Sequence, residues 1–303
     1  MSGILFASID EFTREGFTHG LFLQVRELLQ RAMTRGHPAG LVCIAQRKNP
    51  GIERRTRTVR GCAVRSYYDL MRQASAHAVS QTVADAFHSQ TGVPAQVLPN
   101  LLPERRIGRV PLGTEGRFLT LVNHHPIKGR RVWDALIRQR RSDAYLVVET
   151  WPDAPAYTPP LPNVQVAPFA PDPTTIYNRT RILLVPSLGP EGLARVTLEA
   201  MESGVPVVAH RIGSLPELGN AAMFVAPPPI TGYVLEGNVL YPVISPNDIK
   251  RAVQAFGQAV DAIDHDATLR TRFVADGKEL VRDYRNHSEA VIGRLLDAWL
   301  GAV

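Results

Sequence analysis

The sequence predicts an α/β protein of two doubly wound, Rossmann-like units, and three observations predict it. Short apolar runs alternate with stretches of helical periodicity along most of the chain, the pattern of parallel strands joined by crossover helices. The length of 303 residues accommodates two domains of ordinary size, and 45% apolar with 20% charged residues is the composition of a soluble globular chain. Between Leu101 and Gly116 the chain loses all periodicity and carries Pro and Gly, which suits an interdomain linker.

In the first unit Ile4 to Ser8 reads as a strand. Leu21, Val25, Leu28, Leu29 and Ala32 then recur on one helical face until Gly36 stops the helix. Leu41 to Ala45 is a second strand, followed by an irregular segment with the turn signal Asn49-Pro50-Gly51. Ala76 to Val79 reads as a strand, Ser80 caps a helix from Gln81 to Gln90 that Gly92 ends, and Pro94 to Leu98 is another strand.

Beyond the linker, strands are expected at Phe118 to Val122, Tyr145 to Val148, Val164 to Val166, Ile182 to Val185, Val205 to Ala209 and Met223 to Val225. Pro227 to Pro242, rich in Pro and Gly, reads as an inserted surface loop, either passive, the favoured reading, or placed so that Tyr233 or Tyr241 closes over the cleft. Helices then follow at Pro246 to Ile263, Leu269 to Arg285 and Ser288 to Leu300. The expected organisation is therefore residues 1–110, residues 111–287, and a C-terminal helix at 288–303 that packs back on the first unit.

No stretch approaches the roughly 18 consecutive apolar residues of a membrane span. The run Ile4-Leu5-Phe6-Ala7 is too short for a signal peptide and is soon followed by Asp10 and Glu11, so a cytoplasmic protein is expected. Cys43 and Cys62 lack metal or redox spacing and read as reduced structural thiols. The net charge of +6 is concentrated early, because the first 110 residues hold 15 Lys and Arg against 8 Asp and Glu. It peaks from Arg47 to Arg65, where Arg54, Arg55 and Arg57 belong to a cluster facing one acid, Glu53. Such a patch attracts an anionic acceptor, a membrane surface or a nucleic acid, although a solvated loop has the same composition.

The segment from Pro186 to Ala209 reads as a strand end, a Gly-containing loop, a helix and a strand. In open α/β sheets ligands sit beyond the carboxyl ends of strands, and a helix opening near Leu193 turns free N–H groups and its positive dipole end toward that crevice. Glu191 lies in the loop and Glu199 on the helix, so a diphosphate between them would leave each carboxylate a hydroxyl-bearing group to grip. A nucleotide sugar has that form.

At these residues the chain resembles the retaining GT-B glycosyltransferases with a Glu-x7-Glu motif, the family 4 group. Pro186-Ser187, Glu191-Gly192, Leu198-Glu199-Ala200-Met201, Gly204-x-Pro206-Val207-Val208-Ala209 and Gly213-x-x-Pro216-Glu217 follow in family order and spacing. Asn123-His124-His125-Pro126-Ile127-Lys128-Gly129 is similar to the family's first strand end and Lys-Gly turn, so the resemblance covers Phe118 to Val303. It is weaker in the first third, where Gly16 to Gly20 is similar to the family's Gly-containing loop and Arg35-Gly36-His37 to the end of its first helix.

The resemblance implies a GT-B fold with two Rossmann-like domains facing across a cleft, the N-terminal one abbreviated. It further implies sugar transfer with retention from a nucleoside-diphosphate sugar, that donor being a co-substrate, with no cofactor and no metal. Glu191 would contact the donor sugar, and the backbone at Gly192, Leu193 and Ala194 the sugar and phosphates. Glu199 would hold the ribose, and Lys128 would neutralise the diphosphate. The family's usual Arg five residues before that Lys is Asn123 here, which remains a donor-binding candidate while Arg130, Arg131 or Arg195 would supply the charge. Gly16, Gly20, Arg54, Arg55 and Arg57 are the acceptor-side candidates, for a glycan or lipid, a small molecule or a modified nucleic acid. A donor-binding but catalytically silent partner protein, or an epimerase or phosphorylase of the same fold, stands as the alternative. Asp264-His265-Asp266 matches a metal-binding D-x-D but sits between late helices, so no metal is expected there.

Overall fold

The computed structural model describes residues 4–8, 39–43, 76–92, 94–100, 102, 116–149, 156–168, 172–189, 191–236 and 239–300. The chain divides into two compact units, Met1–Leu101 with Arg285–Val303, and Leu102–Tyr284. In the first, β1 (Ile4–Ser8) pairs in parallel with β2 (Ala39–Cys43), and β3 (Ala76–Ala78) in parallel with β4 (Ala95–Val97). Between the latter two runs α1 (Gln81–Thr91), whose N-cap Ser80 accepts from the Val83 N–H at 3.3 Å.

The second unit holds a six-stranded, wholly parallel sheet. Its strands are β5 (Phe118–Val122), β6 (Ala144–Glu149), β7 (Val164–Pro168), β8 (Thr180–Val185), β9 (Val207–His210) and β10 (Met223–Val225). Their spatial order is β10-β9-β8-β5-β6-β7, so the chain leaves β5 toward one edge and returns through β8 toward the other. That is the Rossmann order, with its switch point between β5 and β8.

Alternate residues of these strands feed two cores. Leu119, Leu121, Tyr145, Val147, Ile182, Leu184 and Val208 face one side, under α2 (Arg130–Gln139) and α5 (Pro246–His265). Phe118, Leu146, Val148, Leu183, Val185, Val207 and Ala209 face the other, with α3 (Thr174–Tyr177) and α4 (Arg195–Glu202). Both faces being covered explains why these strands read as unbroken apolar runs. Each fully buried Leu or Val side chain contributes about 1.5–3 kcal/mol.

Two elements differ from the sequence reading. Residues 227–242 include a regular hairpin, β11 (Gly232–Glu236) antiparallel to β12 (Val239–Val243). Tyr233, Val234, Val239, Tyr241 and Val243 supply β-branched and aromatic residues, while Pro242 sits in a two-stranded ribbon whose edges tolerate a missing donor. The last two expected helices are one, α6 (Ala267–Leu300). Ser288, the expected first residue of the last helix, is 1% exposed within it and donates its hydroxyl to the Asn100 carbonyl at 3.3 Å.

At the end of the sheet opposite the switch-point loops, Asp143, just before β6, receives Arg140 at 2.7 Å and Arg181 at 2.9 Å. Asp264 of the D-x-D pairs with Arg181 at 3.4 Å and Arg270 at 3.6 Å. Burial pushes its carboxyl upward, and the two arginines oppose that shift. Among the described residues no three His, Cys, Asp or Glu side chains gather as a metal-binding group. No helix among them is long and apolar enough to cross a membrane.

Candidate functional site

Two loops meet at the switch point. After β5, Asn123 adopts φ 69°, a backbone region that Asn tolerates better than most residues. Its Oδ1 accepts the His125 N–H at 3.1 Å and its own N–H reaches the Val148 carbonyl at 2.8 Å. The chain then forms a 3-10 turn, Pro126–Lys128, capped by the His125 ring, whose Nδ1 accepts from the Ile127 N–H at 3.4 Å. Asn123 is thus 5% exposed and spends its side chain on shaping the turn that presents Lys128.

The loop after β8 lies directly against this turn. The Ile127 carbonyl accepts the N–H groups of Leu188 at 2.7 Å and Gly189 at 3.2 Å. The Lys128 ammonium then reaches both oxygens of Glu191 at 2.7 Å, and the Ser187 hydroxyl donates to Glu191 Oε1 at 2.5 Å. Glu191 is only 7% exposed, and Lys128 and Ser187 are the described side chains that meet its carboxylate. On its other side Gly213, at φ 58°, backs onto it: a Cβ there would lie 2.4 Å from both Glu191 N and O, and Ser214 N–H donates to the Glu191 carbonyl at 2.8 Å. The Gly213-x-x-Pro216-Glu217 pattern therefore supports the loop of the first glutamate.

Gly192, Leu193 and Ala194 lead from Glu191 into α4, whose N-cap Ala194 has no side chain to cap the first turn. The helix starts at Arg195, two residues later than the sequence suggests. Glu199, one turn along, accepts from the Tyr177 hydroxyl at 3.3 Å and lies 3.8 Å from the Arg195 guanidinium. Of the three arginines considered for the diphosphate, Arg130 pairs with Asp134 at 3.6 Å and lies over the Tyr157 ring, and Arg131 reaches the Ile244 carbonyl at 3.4 Å. Arg195 is the one at the helix that follows Glu191. The structure thus joins Lys128 to Glu191 and Arg195 to Glu199, and it gives Asn123 a shaping role. Gly16, Gly20, Arg54, Arg55 and Arg57 lie outside the described residues.

Two contacts have no counterpart in the motif reading. Tyr233 of β11 donates its hydroxyl to the Leu188 carbonyl at 3.1 Å, so the hairpin braces the Glu191 loop. His210, the last residue of β9, is fully buried; its Nδ1 lies 3.0 Å from the Ser187 carbonyl and its ring meets Phe256 edge-on at 4.9 Å. Because a carbonyl only accepts, Nδ1 carries the hydrogen, and Nε2 is buried without a partner. Burial pushes this imidazole down to about 4, with the Ser187 and Pro186 carbonyls partly opposing.

The consequence for stability has a definite sign. The unfolded chain protonates this histidine near 6.5, whereas the folded chain holds it neutral down to about 4. Its contribution is therefore intact above pH 6.5 and is lost as pH falls toward 4, by up to about 3 kcal/mol. His210→Leu is expected to flatten the fall in melting temperature between pH 7 and 4 relative to wild type. Parallel curves for the two proteins would refute this.

Residues 131–234 match the family model described as glycosyl transferases group 1, a span that includes Glu191 and Glu199. A glycosyltransferase from Rickettsia africae is similar over 99% of this chain and 98% of its own, with a TM-score of 0.66 at 13% identity. HepE from Anabaena, in complex with UDP and glucose, is similar over 77% of this chain with a TM-score of 0.54 at 18% identity. The sucrose-phosphate synthase of Thermosynechococcus elongatus is similar over 75%, with a TM-score of 0.52 at 17% identity. The chain spans 65% of the length of HepE and 58% of that of the synthase. No curated protein matches the chain. At these identities the likeness is one of fold, and it agrees with the Rossmann-like sheet described above.

Proposed function

We propose that the protein is a retaining, metal-independent glycosyltransferase that acts in the cytoplasm and moves a sugar from a nucleoside-diphosphate sugar to an acceptor. One observation carries this reading. A lysine and a buried glutamate converge at the switch point of a Rossmann-like sheet, beside a helix N-terminus with no side-chain cap, in a segment that largely coincides with the glycosyl transferases group 1 match.

In this reading the diphosphate lies over the start of α4, held by backbone N–H groups, Lys128 and Arg195. Glu191 receives hydroxyls of the sugar and Glu199 those of the ribose. The bond from the anomeric carbon to the phosphate oxygen breaks as the acceptor oxygen bonds to the same face of that carbon. The acceptor proton passes to the departing phosphate, so no protein base is required. Charge building on the leaving group is stabilised by fixed cations and dipoles.

UDP is the nucleotide of the HepE complexes, which makes UDP-glucose the first donor to test, followed by GDP- and ADP-sugars. Nucleoside diphosphate release with candidate acceptors, and the anomeric configuration of the product by NMR, test the reaction and its stereochemistry. Activity is expected to persist in excess EDTA. Glu199→Ala is expected to raise the donor dissociation constant about tenfold, the loss of one charged hydrogen bond, with turnover at saturation within a few-fold of wild type. Inverted product, or loss of activity with EDTA that magnesium restores, overturns the corresponding part of the proposal.

A further inference from the structure

The peptide groups of the loop that carries Glu191 are held from several directions. The Leu188 and Gly189 N–H groups go to the Ile127 carbonyl, the Leu188 carbonyl to Tyr233, and the Glu191 carbonyl to the Ser214 N–H. The Ser187 carbonyl is held by the imidazole of His210, reaching across from the neighbouring strand β9. Ser187 is also the residue whose hydroxyl donates to the Glu191 carboxylate. Two hydrogen bonds in series therefore run from His210 through one residue to the carboxylate: Nδ1–H to the Ser187 carbonyl, then the Ser187 hydroxyl to Oε1.

We propose that His210 is a positioning residue for sugar transfer, fixing through Ser187 the direction in which Glu191 presents its carboxylate. The imidazole is an unexpected choice if packing were its only role. It lies wholly inside, its second nitrogen is unpaired, and it packs on Phe256 in a position an aliphatic side chain would fill without a buried polar atom. The Nδ1–H bond is what an aliphatic residue lacks. Donors set on packed strands hold a site more firmly than loop contacts do, and displacing a reacting group by about 1 Å costs up to about a hundredfold in rate. This inference rests on the proposed role of Glu191 toward the donor sugar.

Asparagine and glutamine separate positioning from packing, because they are equally polar and differ in where the amide sits. Asn places an N–H near the position of Nδ1, and Gln near that of Nε2. In the full-length protein His210→Leu and His210→Gln are expected to lower turnover ten- to a hundredfold, while His210→Asn restores it to within about threefold of wild type. The affinity for free UDP, which lacks the sugar, should stay within twofold in all three variants. Equal activity of the Asn and Gln variants, or wild-type turnover in the Gln variant, overturns the positioning role. The Asn–Gln comparison decides the matter even if the Leu variant fails to fold. Absence of turnover in the wild type with UDP-, GDP- and ADP-sugars would instead overturn the transferase reading, and this inference with it.

Discussion

Replacing Glu191 by glutamine is expected to lower sugar-transfer turnover by about 10²- to 10³-fold while strengthening the binding of free nucleoside diphosphate, two effects of opposite sign from one substitution. Both arise from the pairing of Lys128 with Glu191 at 2.7 Å to each carboxylate oxygen. A diphosphate that approaches this lysine competes with a carboxylate that is 7% exposed and whose other side-chain partner among the described residues is the Ser187 hydroxyl. In the proposed donor complex a sugar relieves that competition, because its hydroxyls would donate to Glu191 as Lys128 turns to the phosphates. Free nucleoside diphosphate brings no such donors. Glutamine keeps the size and can still accept from Ser187, so the fold should survive, but it loosens the hold on the ammonium that competes with the phosphate and no longer strengthens its bonds to the sugar as charge develops. The ratio of affinities for sugar nucleotide and free nucleotide should therefore fall about tenfold or more. Glu199→Gln, at the residue proposed to hold the ribose common to both ligands, should leave that ratio unchanged. Calorimetric titration with UDP and UDP-glucose measures both quantities; unaltered turnover together with an unaltered ratio would remove Glu191 from the site.

The parts of this arrangement that the sequence reveals are those whose physics is local. Strands such as Ile182 to Val185 and Tyr145 to Val148 are legible because a parallel strand covered on both faces must be apolar at every position. The helix after Ser80 is legible because its cap and its closing glycine are adjacent in sequence. Glu191, Glu199 and Lys128 stand out by motif spacing. His210 does not: a histidine ending an apolar strand gives no sign of which carbonyl it will meet 23 residues away. The hairpin at 232–243 is obscured by the prolines before it, although its own residues have β propensity. Ser288 misleads because a serine before a helical pattern suggests a start, and only the distant Asn100 carbonyl explains its burial inside a continuous helix. Asn123 is a further case, since nothing in its position in the sequence announces the positive φ and the hydrogen bond from the His125 N–H with which it shapes the turn before Lys128.

Gly129→Ala is expected to be among the most damaging single substitutions in the second unit, although it adds one methyl group. Gly129 sits at φ 90°, where a Cβ is strained by its own backbone, and that Cβ would lie 2.0 Å from the Pro186 carbonyl oxygen and 2.6 Å from its carbon. Pro186 opens the loop that the Ile127 hydrogen bonds fix, so neither side can yield without parting the Lys128 turn from the Glu191 loop. Backbone strain alone costs about 1–3 kcal/mol, and the lost packing raises the expected total to about 4 kcal/mol. For a unit of this size that lowers the melting temperature by about 8–16 °C. Gly204→Ala is the matched control, because Gly204 also has positive φ, 75°, but its Cβ would meet chiefly the flexible end of Lys278 at 3.3 Å. That variant should lose only about 1 kcal/mol. The two glycines thus separate the cost of backbone conformation from the cost of forcing the two site loops apart, and thermal melting of both variants measures the difference. Similar melting temperatures would mean that the loops are not held together as tightly as the contact between Gly129 and Pro186 requires.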